Sequence, residues 1–233
     1  MEKTSAGTST AKWAPLYRTA GFATIAMLVL IPVQIAVFVL SPMPTTIQDW
    51  FALYQDNWLL GMLHQDLLYI VNNVIVAVMY LAFYVSLKES HPSLMTLAFM
   101  LGLLGISAYL ASNKSIEMLH LSGMYREAVL AADKATIELM GQSMLREWQG
   151  TAFDIYYVLN GIALILMTRA MLKSPLYGRR TALIGLLAGL LMLIPSTAGA
   201  LGLVFSLLSL IPWYIFSVLV AMKFLTWAKA GTG

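Results

Sequence analysis

The sequence predicts an all-α fold: a polytopic membrane helix bundle of six transmembrane helices, with both termini cytoplasmic and amphipathic helices in the outer loops. Three observations predict it. Of 233 residues, 60% are hydrophobic and only 11% charged. A soluble domain carries about 25% charged residues, so this chain has too few charges to cover a water-facing surface. Six apolar stretches reach the roughly 20 residues that a span needs. Lys and Arg gather on one side of those stretches, as cytoplasmic loops require.

The elements follow in order. Residues 1–18 form a polar tail rich in Ser and Thr, with Lys3, Lys12 and Arg18. The first span covers about 19–41. Its apolar run exceeds the roughly 7–15 residues of a signal-peptide core, and no small-x-small cleavage site closes it. A retained anchor is expected. Residues 44–60 form an outer-loop helix with a Thr-led start and aromatics at Trp50, Phe51, Tyr54 and Trp58. The second and third spans cover about 63–87 and 93–112. Residues 114–149 make a second outer segment. Ile137, Met140, Met144 and Trp148 recur there at three- and four-residue steps, the mark of an amphipathic helix. Two helices are expected, broken near Gly123. They lie in the headgroup layer or cap an outward cavity.

The fourth, fifth and sixth spans cover about 151–172, 181–199 and 203–227. Gly199, in "STAGAL", supplies the turn between the last two. Residues 19–228 thus form one membrane domain. Pro32, Pro195 and Pro212 each remove a backbone hydrogen bond and are expected to kink a span. Gly185 and Gly189 make a G-x-x-x-G spacing, read as close packing inside the bundle.

With the N-terminus placed in the cytoplasm, ten of the fourteen cations fall inside and four outside. The four outer ones are Lys114, Arg126, Lys134 and Arg146. Both termini are therefore expected in the cytoplasm.

Several function classes are excluded. Cysteine is absent, so disulfides, thiolate catalysis and iron–sulfur clusters are ruled out. No basic run with interleaved aromatics marks a nucleic-acid surface. No G-x-S-x-G element and no phosphate-binding glycine loop occurs.

The polar residues of the spans are segregated by depth. In the second span His64, Asp66, Tyr69, Asn72 and Asn73 all precede the midpoint. In the fourth, Asp154, Tyr156, Tyr157 and Asn160 do the same. Inner halves are almost wholly apolar. An unsatisfied polar group in hydrocarbon costs several kcal/mol. One shared pocket in the outer half, above an apolar floor, satisfies them all. Asp154, Asp66, Asn73, Tyr157, His64, Asn160 and Tyr69 are the candidate ligand contacts. A second arrangement places a divalent ion among His64, His120, Glu117, Asp66 and Asp154. A third ligates haem through His64 and His120. No compact metal motif such as H-E-x-x-H supports either.

The segment "YRTAGFATI", and above all "IPSTAGALGLVFSLLSLIPWYI" at 194–215, resembles a family of bacterial and archaeal six-helix membrane proteins known as a domain of unknown function. The likeness covers about residues 15–228. It implies a six-helix inner-membrane fold and no particular activity. The leading expectation is an outward pocket for a small amphiphile or lipid, carrier-like in use. The alternatives are an accessory subunit of a membrane complex and a metal-dependent hydrolase of lipid-like substrates. Expected partners are membrane lipids and other membrane subunits.

Overall fold

In a computed structural model, residues 12–230 are described. Most of the predicted polar tail, including Lys3, lies outside them. The described residues form ten α-helices and no strand. These are α1 (Ala14–Leu40), α2 (Ile47–Asp56), α3 (Trp58–His64), α4 (Leu67–Leu87), α5 (Pro92–Ser112), α6 (Ser115–Glu127), α7 (Ala131–Trp148), α8 (Thr151–Leu172), α9 (Arg179–Leu191) and α10 (Gly199–Ala230).

Five stretches are long and apolar enough to cross a membrane, and they contain α1, α4, α5, α8 and α10. The predicted fifth span is different. Its helix, α9, has only 13 residues. At 1.5 Å per residue it extends about 20 Å, against a hydrocarbon core of about 30 Å. Pro195 explains the early stop. Proline lacks the N–H that would continue the ladder, and it drives the residue before it out of the helical region. The expected kink at Pro195 is therefore a helix end. Gly199 makes the anticipated turn, with φ +65°.

Helices α1, α4, α5, α8, α9 and α10 pack as a closed ring in which each touches the next, and α10 returns to α1. One end of the ring is filled by apolar and aromatic side chains. Tyr17, Phe83, Phe216, Phe224 and Trp227 pack there with Met79 and Met167. The glycines read as packing positions serve that purpose. A Cβ on Gly189 would lie 3.1 Å from the Gly161 carbonyl, and one on Gly161 would lie 3.1 Å from the Gly189 carbonyl. Helices α8 and α9 thus touch backbone to backbone. Gly185 leaves room for the Phe216 ring, 2.6 Å from where its Cβ would be.

At the other end, α2, α3, α6 and α7 form a second layer with its own core of Ile47, Trp50, Phe51, Tyr54, Met118, Leu121, Ile137 and Trp148. The Thr-led start of α2 is a capping box. Thr46 Oγ1 accepts from the Asp49 amide at 3.2 Å, and Asp49 accepts from the Thr46 amide at 3.3 Å. The break in the longer segment falls at residues 128–130, not at Gly123, which lies inside α6. A Cβ at Gly123 would meet nothing within 4 Å, so no close approach requires glycine there.

Pro32 and Pro212 do lie inside α1 and α10. Pro32 frees the Leu28 carbonyl, four residues earlier, from its helical donor. The Tyr214 hydroxyl of α10 donates to that carbonyl at 3.0 Å. We expect Tyr214→Phe to lower stability by about 1 kcal/mol, the ordinary value of one hydrogen bond. In a Pro32→Ala background, where the helix supplies its own N–H, the same change should be nearly silent. Thermal melting of the four proteins in detergent reads the coupling.

Candidate functional site

The ring encloses a cavity of about 370 Å³. Every ring helix that lines it contributes from the same end of the bundle. These are the last part of α1 and α5, the first part of α4, α8 and α10, and the end of α9. The sequence's depth segregation is thus a spatial one. The lining has two characters. Ile31, Val76, Leu164, Ala188, Leu207 and Leu210 are hydrocarbon. Asp66, Tyr69, Asn72, Tyr109, Tyr157, Asn160 and Ser206 bring polar atoms. Met43, Trp148 and Gln149 reach it from outside the ring, so part of the outer layer closes over the cavity.

Helix α4 shows how local periodicity builds the wall. Tyr69, Asn72, Val76 and Tyr80 line the cavity at steps of three, four and four, one face of a helix. Helix α8 presents Phe153, Tyr156, Tyr157, Asn160 and Leu164 in the same way. Asn160 Nδ2 donates to the Tyr156 carbonyl at 3.0 Å, which fixes its amide orientation. A Cβ on Gly105 of α5 would collide with that same nitrogen. Glycine at 105 therefore makes the space in which Asn160 sits.

The predicted second span starts later than expected. The chain breaks between α3 and α4, and Asp66 occupies the left-handed region at φ 67°. Asp tolerates that region better than most residues. Four side chains clamp the break. Gln34 Nε2 donates to the Leu63 carbonyl at 3.1 Å, and Asn113 Nδ2 to the Gln65 carbonyl at 2.6 Å. The Tyr54 hydroxyl donates to Gln65 Oε1 at 2.6 Å, and Trp148 Nε1 to Asp66 Oδ2 at 2.9 Å. Asp66 is 7% exposed. Sitting just ahead of the α4 span, its carboxyl is pushed up to about 6, chiefly by burial, while the Trp148 bond opposes that rise.

Four of the seven candidate contacts line the cavity: Asp66, Tyr69, Tyr157 and Asn160. Three do not. His64 ends α3 in the outer layer. Its Nε2 lies 3.0 Å from Ser41 Oγ, and its ring stacks on Phe38. Burial holds its imidazole below the usual value. Asn73 is one residue past the lining face of α4, and its amide donates to the Tyr69 carbonyl at 2.9 Å. Asp154 accepts from the Thr197 hydroxyl. It ties α8 to the segment between α9 and α10.

The metal and haem sets do not assemble. No group of three or more His, Asp and Glu that could hold an ion occurs among the described residues. His64 is fully buried against Ser41 and Trp50. His120 sits on exposed α6, where its Nδ1 faces the Ile116 carbonyl of its own helix.

Sequence reasoning missed Trp148 and Tyr109 as cavity residues. Trp148 was visible as the last member of the apolar stripe of α7, just before the Gln149–Gly150 break. Tyr109 gave no signal apart from its place near the end of a span. Comparison of the chain with protein-family models, curated proteins and solved structures returns no match.

Proposed function

We propose that the chain is a six-span protein of a prokaryotic cytoplasmic membrane whose outward cavity holds a small single-chain amphiphile. The observation that carries this is the division of the cavity wall. Polar and hydrocarbon side chains line one enclosure, a mixed chemistry that suits a molecule with both characters. Its volume lies at the lower end of the roughly 300–1,000 Å³ of small-molecule sites. In this reading α9, with the segment to Ala198, serves as the remaining short crossing. The cation-rich ends of the helices, with Lys88, Arg169, Lys173, Arg179 and Arg180, lie in the cytoplasm, and the cavity faces out.

Entry is lateral. A shallow apolar groove between α1 and α10 carries Pro32 and Tyr214 and shares Ile31, Ile35 and Leu210 with the cavity wall. A lipid-borne molecule reaches the cavity there without passing through water. This supports a carrier-like or sequestering role.

The test is mass spectrometry of the lipid fraction bound to purified protein. Wild type should retain a stoichiometric amphiphile. Ala188→Phe places a phenyl group in the cavity from a residue 2% exposed. It should lose that amphiphile while keeping a cooperative thermal transition. A wild-type protein with no specific bound molecule removes the proposal.

A further inference from the structure

Every cavity wall has a charge preference, and this one is one-sided. Its lining contains one ionisable acid, Asp66, and no Lys, Arg or His. Two buried oxygens of lining residues lack a hydrogen-bond partner, Asn72 Oδ1 and Asn160 Oδ1, while the Tyr109 hydroxyl lies against the Asp66 carboxyl. The two amide oxygens accept and cannot donate. Asn160 cannot be turned round to change this, because its nitrogen is held by the Tyr156 carbonyl. Asn72 and Asn160 are 7% and 1% exposed. Around Asp66 the wall is aromatic. Tyr109 packs on Tyr156 with ring centroids 4.8 Å apart, and Tyr156 on Tyr157 at 5.5 Å. Tyr69 and the Trp148 indole complete it.

We infer that the head of the amphiphile is a cation, a protonated amine seated against Asp66 and the aromatic rings around it. This deepens the amphiphile reading and depends on it. An ammonium group answers each feature. It pairs with the carboxylate, whose Oδ2 already accepts from Trp148. Its charge is attracted to the faces of Tyr and Trp rings. The unpaired amide oxygens lie deeper. Asn72 is six residues beyond Asp66, about 9 Å along the helix. They add to the negative potential of the wall. A carboxylate or phosphate head fails on the same features. It would face Asp66 as a like charge in a low-dielectric enclosure, with no cation to balance either group. An alcohol head would satisfy an amide oxygen but leave the Asp66 charge uncompensated.

The experiment uses dodecylamine, dodecanol and dodecanoate as probes of one chain length. Each is titrated at neutral pH into the full chain in lipid nanodiscs. Tryptophan fluorescence gives the readout, since Trp148 and Trp213 line the cavity. Wild type should bind the amine at least about tenfold more tightly than the other two. Asp66→Asn, which keeps the acceptor for Trp148, should erase that preference. Asn72→Asp gives an independent check in a protein with Asp66 intact and should widen the preference. Equal binding of the three probes by wild type overturns the cation assignment and leaves the amphiphile reading standing. So does a preference that survives Asp66→Asn or fails to widen in Asn72→Asp. If no probe gives a saturable response that Ala188→Phe abolishes, the amphiphile reading falls, and this inference with it.

Discussion

Gly161→Leu should disrupt the packing of α8 on α9 strongly. At this position and at Gly189, α8 and α9 approach so closely that each glycine's missing Cβ would stand 3.1 Å from the other's carbonyl. A Cβ on Gly161 would also lie 3.0 Å from Leu193 Cδ2. That atom belongs to a side chain and can yield. The carbonyl belongs to a helix and cannot yield unless α9 moves away. Inserting methylenes into a packed interior costs about 1–3 kcal/mol, occasionally more. Here a whole helix must shift, so about 3 kcal/mol or more is expected. Helix α9 is the short element of the ring, with the fewest turns to hold it. Gly123→Ala supplies the contrast. Nothing lies within 4 Å of its added Cβ, and alanine in a helix is favoured over glycine by about 0.8–1 kcal/mol. Thermal melting in one detergent should therefore lower the transition of Gly161→Leu sharply and raise that of Gly123→Ala slightly. Equal transitions for wild type and Gly161→Leu would mean that the two helices are not in backbone contact.

The spans were legible because their signal is composition. Helices α1, α4, α5, α8 and α10 each need a long apolar run, and residue content shows it without any knowledge of partners. What failed was local. Pro195 reads equally as a kink or as a stop, and the helix ends at Leu191. Pro32, by contrast, stays inside its helix, and Tyr214 serves the carbonyl it frees. The break at Asp66 could not be read because it is imposed from outside. Gln34, Tyr54 and Trp148 hold it from three helices, and Asn113 from the α5–α6 junction.

The site was legible in depth and not in rotation. Depth follows from position within a span. Which way a side chain faces changes by about 100° per residue in a helix. Asn72 lines the cavity and Asn73 does not; Phe153 lines it and Asp154 does not. A carboxylate a turn inside a span is an attractive functional candidate, yet Asp154 accepts from Thr197. Asp66 has a plain role as the residue that begins a helix, and it is the one whose carboxyl reaches the cavity.

Trp148 joins the two layers, and its replacement separates their contributions. The side chain is 4% exposed and belongs to the outer-layer core. Its ring meets Trp50 edge-on at 6.1 Å, and its indole N–H donates to Asp66. Trp148→Ala loses both roles. Truncating a buried Trp costs about 3–5 kcal/mol, and the outer layer should loosen over the cavity. Trp148→Phe keeps much of the packing and deletes only the donor. The Asp66 carboxylate then loses a partner while still buried, at about 1–3 kcal/mol. The two variants should therefore differ in kind. Hydrogen exchange should rise throughout α2, α3, α6 and α7 in Trp148→Ala. In Trp148→Phe it should rise mainly at the α3–α4 break, where the left-handed backbone of Asp66 depends on its clamps. Adding Asp66→Asn to Trp148→Phe should recover part of the loss, because a neutral amide left without a donor is penalised less than a carboxylate. If the double variant is no more stable than Trp148→Phe alone, the indole acts on Asp66 through packing rather than through its N–H.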